Sequence, residues 1–175
     1  MAAEAEDGII NRVANSGLVT FDLEEYYQPG ERVLVDIKDQ LFQGLIVREK
    51  DFREFIKSHP WRQYQDKFVA VTCTADAIIP RWAYMLLTSA LQPYARKIVF
   101  GSLEDLEKKI YFDILSRIDW KQFTDARVVI KGCSKVDVPT AVYVEATQMI
   151  RPYASSIMFG EPCSTVPVYK KPKVG

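Results

Sequence analysis

The thiols of three cysteines, Cys73, Cys133 and Cys163, are the side chains of this chain best suited to chemistry. A thiolate binds soft metals and attacks electrophiles. Two aspartates, Asp76 and Asp137, follow the first two cysteines closely in the sequence. Three thiolates with a carboxylate or an open fourth position suit tetrahedral zinc or an iron–sulfur cluster. These five residues are therefore the candidate metal ligands.

The spacing of the cysteines matches no recognised metal motif. The sequence has no C-x-x-C pair, and the three cysteines lie at positions 73, 133 and 163. Three cysteines in 175 residues do not make a disulfide framework either. A shared metal site would therefore depend on a fold that brings distant segments together.

Apolar runs of strand type alternate with segments of helical period along the chain. This alternation predicts an α/β fold with a mainly parallel sheet flanked by helices. Ser102 and Asp105 have the spacing of a capping box at the start of one helix. The predicted strands cover residues 31–37, 66–73, 97–102, 126–133 and 155–160, and the predicted helices lie within 42–60, 78–91, 103–118 and 138–150.

The length and composition indicate one folded domain. The chain has 175 residues, of which 48% are hydrophobic, enough for a full core. We expect a single α/β domain over residues 1–175, with an irregular N-terminal segment at 1–30 and an extended C-terminal tail at 161–175.

Two β-α-β segments, at about 68–101 and 127–160, resemble each other. Placing residues 80–101 over 139–160 makes nine of the 22 columns identical, where ordinary residue usage gives about one or two. The paired tyrosines, Tyr84 with Tyr143 and Tyr94 with Tyr153, are interpreted as packing positions. The sequence therefore predicts a duplicated β-α-β unit.

The predicted topology gives the three cysteines a common location. Each follows the carboxyl end of a predicted strand, and parallel strands joined by right-handed crossovers place these ends at one edge of a sheet. Open α/β sheets bind ligands at that edge. We therefore expect Cys73, Cys133 and Cys163 to approach one another there.

Other interpretations of the same residues stay open. The aspartates could cap the following helices, and the cysteines could fill the core. One thiolate, foremost Cys133, could instead serve an enzyme or a sulfur carrier. Cys73 and Cys133 both lie just before predicted helix amino termini, which would lower the pKa of a thiol, and Lys131 and Lys135 flank Cys133 and would act in the same sense. Whether the protein is an enzyme is left open between these alternatives.

Several functional classes are disfavoured. Phosphate-binding glycine loops are absent from the sequence, so no nucleotide cofactor is predicted. The 23 basic and 23 acidic residues balance, which disfavours nucleic acid or an anionic membrane as a partner. The start lacks a signal peptide pattern, and we expect a cytoplasmic protein with reduced thiols. The single histidine, His59, is interpreted as a residue at a helix end rather than a catalyst.

Three segments resemble a known family: "VTCTADAIIPRWAYMLL", "KGCSKVDVPTAVYVEA" and "SIMFGEPCSTVPVYKK". They are similar to an uncharacterised bacterial group, domain of unknown function family 2480, over nearly the whole chain. The family name carries no activity. The resemblance implies an accessory role near the sulfur-mobilisation and iron–sulfur cluster-assembly proteins, because genes of the family often lie beside theirs. The leading hypothesis is therefore a metal-binding or cluster-assembly accessory protein, with a thiolate-based enzyme or carrier and a structural interaction module as alternatives.

Overall fold

Seven strands and four helices form the described part of the chain, residues 17–132 and 134–172 of this computed structural model. The strands are β1 Leu18–Asp22, β2 Arg32–Asp36, β3 Phe68–Thr72, β4 Lys97–Phe100, β5 Arg127–Lys131, β6 Ser156–Glu161 and β7 Ser164–Lys170. The helices are α1 Glu49–Ser58, α2 Arg81–Leu91, α3 Leu103–Leu115 and α4 Thr140–Ile150. The α/β class and the mainly parallel pairing predicted from the sequence are confirmed.

The chain divides into two compact units. The middle unit is Pro29–Ile110, and the terminal unit combines Met1–Gln28 with Tyr111–Gly175. Each unit has its own sheet. The sequence had led us to expect one sheet, because strand periodicity does not reveal which strands pair.

The middle unit contains a parallel sheet of order β2-β3-β4. The strand β3 reads Phe-Val-Ala-Val-Thr, and its first four residues are buried, as expected for a central parallel strand. Helix α2 connects β3 to β4 and buries Ala83, Leu87 and Leu91 in the same core cluster as Val69 and Val71. Burial of this helix stripe fixes the β3-α2-β4 crossover.

The terminal unit repeats this arrangement and adds one strand. Its sheet has the order β1-β5-β6-β7, in which β1, β5 and β6 are parallel and β7 is antiparallel to β6. Helix α4 connects β5 to β6 and buries Val142, Ala146 and Ile150. These three positions are the equivalents of the three buried residues of α2, offset by 59 residues.

The duplication extends further back than the sequence comparison indicated. In each unit a 3₁₀ turn precedes the central strand, and the indole of its tryptophan donates a hydrogen bond to the carboxyl end of the preceding helix. Trp61 Nε1 donates to the oxygen of Ile56 at 2.7 Å, and Trp120 Nε1 donates to the oxygen of Leu115 at 3.2 Å. Strands β1 and β2 are also equivalent to each other, because each pairs in parallel with the central strand of its unit.

Two boundaries differ from the sequence predictions, and the structure refines a third. Residues 18–22 of the segment expected to be irregular form β1, since Phe21 packs into an aromatic cluster with Trp120 and Phe123. The extended C-terminal tail predicted from the sequence forms a surface strand, β7, which pairs along β6. Leu45, assigned to a helix, precedes α1 and is 62% exposed.

The predicted capping box at the start of α3 is confirmed. The backbone N–H of Asp105 donates to Ser102 Oγ at 3.1 Å, and the N–H of Ser102 donates to Asp105 Oδ2 at 2.9 Å. Among the described helices, none is long and apolar enough to cross a membrane.

Candidate functional site

Cys73 lies directly after β3, at the carboxyl edge of the sheet in the middle unit. The residue is partly buried and packs against the core of that unit. The pKa of Tyr84 is raised, mainly by burial and further by the charges of Cys73 and Asp36. A thiol, a phenol and a carboxylate therefore share one neighbourhood at the edge where α/β sheets bind ligands.

Asp36 holds the loop that follows Cys73. Its Oδ1 accepts hydrogen bonds from the N–H groups of Lys38 and Thr74 at 3.0 and 3.1 Å, and its Oδ2 accepts one from Thr74 Oγ1 at 2.5 Å. Burial alone would raise the pKa of Asp36, but the hydrogen bonds from Thr74 and Lys38 outweigh it, and the pKa is lowered. The ionised carboxylate is thus the form that anchors the residue next to Cys73.

Glu24 holds the corresponding loop in the terminal unit, residues 134–136. Its Oε1 accepts hydrogen bonds from the consecutive N–H groups of Ser134, Lys135 and Val136 at 2.5, 2.6 and 3.4 Å, and Oε2 accepts one from Ser134 Oγ at 2.9 Å. These bonds, the one from Lys135 foremost, lower the pKa of Glu24 from 4.5 to about 2. A concave row of backbone N–H groups is an anion-binding nest, and here an internal carboxylate fills it.

Cys133 lies outside the described residues, so its predicted role is untested. The structure describes Lys131, one of the two lysines expected to activate this thiol. Lys131 Nζ forms an ion pair with Asp22 at 3.0 Å and approaches Glu161 at 3.9 Å. The pKa of Lys131 is raised, mainly by its hydrogen bond to Asp22. The positive charge of Lys131 is therefore paired with carboxylates.

Cys163 occupies the turn of the hairpin between β6 and β7. Glu161 pairs with Ser164, which leaves Pro162 and Cys163 as the two residues of the loop. Gly160, near the end of β6, has φ +117°, and a Cβ at this residue would lie 2.6 Å from the backbone oxygen of Ser164. The hairpin is therefore tight, and it presents an exposed thiol.

Asp76 and Asp137 do not cap the helices that follow them. The N-cap residues of α2 and α4 are Pro80 and Pro139, and neither helix has a side-chain capping bond. Both aspartates are exposed. The capping interpretation was wrong because each proline starts its helix after a longer loop than the sequence suggested.

The sequence placed Cys73 directly before a helix amino terminus, but helix α2 begins at Arg81, eight residues after the cysteine. Tyr84, whose pKa Cys73 helps to raise, lies in the first turn of α2, so activation of Cys73 by this helix stays a prediction. The extended loop between Cys73 and Pro80 separates the thiol from the helix amino terminus along the chain.

The described residues contain no group of three or more His, Cys, Asp or Glu side chains that could hold a metal ion. Cys73 and Cys163 follow strands of different sheets. The expectation that all three cysteines leave strands of one sheet was wrong for these two. The metal prediction itself stays open, because it includes Cys133.

Sequence reasoning missed the acidic residues that anchor the loops. Asp22 and Asp36 each end the first strand of a unit, and Glu24 follows Asp22 by two residues. The similar segments "VTFDLE" and "VLVDIK" carry the only local signal of this correspondence. Their partners lie far along the chain, as with Glu24 and Ser134, which are 110 residues apart.

Each unit also has an apolar cleft between its crossover helix and its sheet. The clefts measure about 470 Å³ in the terminal unit and about 490 Å³ in the middle unit. Tyr84 packs against Phe100 with ring centroids 4.9 Å apart, and Tyr143 packs against Phe159 at 5.8 Å. The interpretation of Tyr84 and Tyr143 as duplicated packing positions is thus supported.

The fold defines a duplicated α/β protein whose loop anchors and described thiols lie at or just after the carboxyl ends of strands. The chain belongs to the family described as protein of unknown function DUF2480, whose model matches residues 7–171. No curated protein and no solved structure matches the chain.

Proposed function

We propose that this chain is a cytoplasmic accessory protein that handles a metal or sulfur through its cysteine thiols. One observation carries the proposal: Cys73 and Cys163 leave the carboxyl ends of parallel strands without being buried in the core. A cysteine that only fills a core is fully buried. The family resemblance implies an accessory role near sulfur mobilisation and cluster assembly, which agrees with this chemistry.

In the leading form of the proposal, cysteine thiolates bind zinc or an iron–sulfur cluster. Cys73, Cys133 and Cys163 are the candidate thiolate ligands, and Asp76 and Asp137 are exposed carboxylates available to complete a coordination shell. Partners of this form would be sulfur-mobilisation or cluster-assembly proteins, and neither nucleic acid nor a membrane is required.

The second form is a sulfur carrier or thiolate enzyme, and two observations favour it. Cys163 is exposed on a tight hairpin, where an acceptor protein could reach it. Glu24 binds the three residues that follow Cys133 in the sequence, so the backbone directly after this candidate thiol is anchored. A carrier needs an accessible and well-positioned thiol more than it needs a ligand cluster.

Metal analysis of protein purified without oxygen separates the two forms. The wild type would be compared with Cys73→Ser, Cys133→Ser and Cys163→Ser, and we expect bound zinc or iron that falls in each variant lacking a ligand. Absence of both metals from every preparation would reject the metal form.

Alkylation of the three thiols as a function of pH tests the carrier form. We expect one cysteine to react at a pH well below that of an ordinary thiol, which titrates at about 8.5. Uniformly slow labelling of all three would reject it. If both experiments fail and the Cys→Ser variants change only stability, the chain is a structural or interaction module.

A further inference from the structure

The two units differ in what pairs with the outer edge of the strand after the crossover helix. This strand is β4 in the middle unit and β6 in the terminal unit. Strands β4 and β6 hold equivalent positions, each paired with the central strand of its unit. In the terminal unit, β7 pairs with the far side of β6. In the middle unit, the sheet ends at β4 within the described residues.

The backbone pattern identifies which peptide groups point outward from β4. The N–H of Gly101 donates to the oxygen of Val71 at 3.0 Å, so residue 101 faces β3. In a parallel strand, the N–H and C=O groups of successive residues point alternately to the two neighbouring sides of the strand. Those of Ile98 and Phe100 therefore face away from the sheet, as those of their equivalents Ile157 and Phe159 face β7.

The side chains show the same lack of cover. Phe100 is 66% exposed, whereas its equivalent Phe159 is 39% exposed. Ile98 is partly buried, whereas Ile157 is 0% exposed. Met85 is 70% exposed beside them on α2, and it lines the same cleft as Ile98 and Phe100. The middle unit thus has an apolar strip along a strand edge that no other strand of residues 17–132 or 134–172 covers, a combination that favours strand addition.

We propose that a second copy of this chain covers this edge, with the two β4 strands antiparallel about a two-fold axis at Val99. In this register Ile98 of each copy is opposite Phe100 of the other. The outward peptide groups of both residues then form hydrogen-bonded pairs. The same register places the Phe100 ring against Ile98 of the second copy, which buries the strip. This inference goes beyond the proposed function and does not depend on it.

The charges at the two ends of β4 favour pairing with itself in this direction. Arg96, which stacks over the Phe68 ring, and Lys97 lie at its start. Glu104 and Asp105 lie in the first turn of α3 just after its end, where they share one cation, Lys108, at 2.7 and 3.6 Å, so this end keeps an excess of negative charge. Antiparallel pairing brings the basic end of one copy to the acidic end of the other, whereas parallel pairing would join like charges. A zero net charge also removes long-range repulsion between copies.

Sedimentation of the full chain over a wide range of concentration tests the proposal. We expect a reversible dimer for the wild type and a monomer for the double variant Met85→Glu/Phe100→Glu. The matched control, Val144→Glu/Phe159→Glu, makes the same changes at the equivalent positions of the terminal unit and should remain a dimer. Circular dichroism of each variant verifies its fold.

A wild type that stays monomeric at the highest concentration would overturn the proposal and leave a strand from another protein as the alternative occupant. A dimer that survives Met85→Glu/Phe100→Glu in a folded protein would overturn it as well.

Cross-linking provides a test that does not depend on disrupting the edge. The register puts the two Val99 residues directly opposite each other, with their Cβ atoms about 5 Å apart. Oxidation of Val99→Cys should therefore give a disulfide between positions 99 of two copies, identified by mass spectrometry. Val168→Cys, exposed on β7, is the control and should not form the corresponding bond. A dimer without the 99–99 bond would place the interface elsewhere and reject the proposal.

Discussion

The middle and terminal units share one scaffold but differ at the position just after the central strand. The terminal unit has Gly132 there, with φ +150°, and the hydroxyl of Tyr143 donates to its oxygen at 2.6 Å. The equivalent residue of the middle unit is Cys73, beside the equivalent tyrosine Tyr84. After duplication, the same loop position thus carries a thiol in one unit and has no side chain in the other.

The two units also anchor this loop with different acids. In the middle unit Asp36, the last residue of β2, accepts from the loop residue Thr74. In the terminal unit the corresponding Asp22 instead pairs with Lys131, and Glu24 accepts from the loop. Lys131 at the end of β5 pairs with Asp22, and the residue that anchors the loop is Glu24, two positions further along the chain.

Trp61 and Trp120 offer the strongest test of the shared scaffold. Both indoles are nearly buried, at 8% and 7% exposure, and both hydrogen-bond a helix end. Each change to alanine should lower the free energy of unfolding by about 3–5 kcal/mol, because it leaves a large cavity. Urea denaturation measures this. As a control, Trp→Phe should have a smaller effect at both positions, and a large inequality between the two alanine variants would break the equivalence.

Changes of Ile157 and Ile98 to alanine test how much β7 contributes to burial of the core in the terminal unit. Ile157, on β6 of the four-stranded sheet, is fully buried, so Ile157→Ala should lower the free energy of unfolding by about 3 kcal/mol. Ile98→Ala should have an effect of about 1 kcal/mol, because part of that side chain already contacts solvent. The comparison requires protein concentrations at which the chain is monomeric. Equal losses would contradict a role for β7 in covering the core.

Gly132 and Cys73 test the loop position itself. A Cβ at Gly132 would lie 2.7 Å from Leu23 Cβ, and its φ of +150° disfavours any other residue. Gly132→Ala should therefore lower the free energy of unfolding by about 2 kcal/mol. Cys73→Ala, the control in the other unit, should change it by less than about 1 kcal/mol. Thermal or chemical denaturation distinguishes these outcomes, and a tolerated Gly132→Ala would show that this loop adapts.

The carboxylate of Glu24 should contribute a smaller effect on stability, and this effect should depend on pH. Its pKa is lowered to about 2 in the folded protein, so its contribution to stability is fully present above its ordinary pKa of 4.5. The contribution is lost as the pH falls from 4.5 towards 2. Denaturation midpoints of Glu24→Gln should therefore change less over this window than those of the wild type.

The neighbouring Glu25 gives the matched control for that experiment. Its pKa is raised, mainly by burial, so ionisation of its carboxylate opposes folding and its protonation favours it. Glu25→Gln should therefore leave the acid-induced loss of stability intact. An acid response that is the same in Glu24→Gln and the wild type would contradict the role of the carboxylate in the loop.

Much of the fold could be predicted because its signals are local. The capping box of Ser102 and Asp105 lies within four consecutive residues, and the apolar run at 68–72 marks a buried parallel strand. The duplication was visible because core positions such as Ala83 and Val142 recur at a constant offset. Strand β1 was missed because its five residues give little periodicity, and burial of Phe21 against Trp120 defines it.

The candidate site could be predicted only in part. The positions of Cys73 and Cys163 after strand ends follow from strand boundaries, which the sequence indicates. Their assignment to different sheets and the anchoring roles of Asp36 and Glu24 do not, because they depend on residues far apart in the chain.

The sequence by itself determined the α/β class, the duplicated unit and the placement of two thiols at strand ends, because hydrophobic period, turn residues and repeats act over short distances. Only the tertiary structure decided that the described strands form two sheets, that Gly132 stands at the position equivalent to Cys73, and that β7 covers the edge of β6 whereas the other described sheet ends at β4. These features arise from strand pairing and close contacts between segments distant in sequence, which no local pattern encodes.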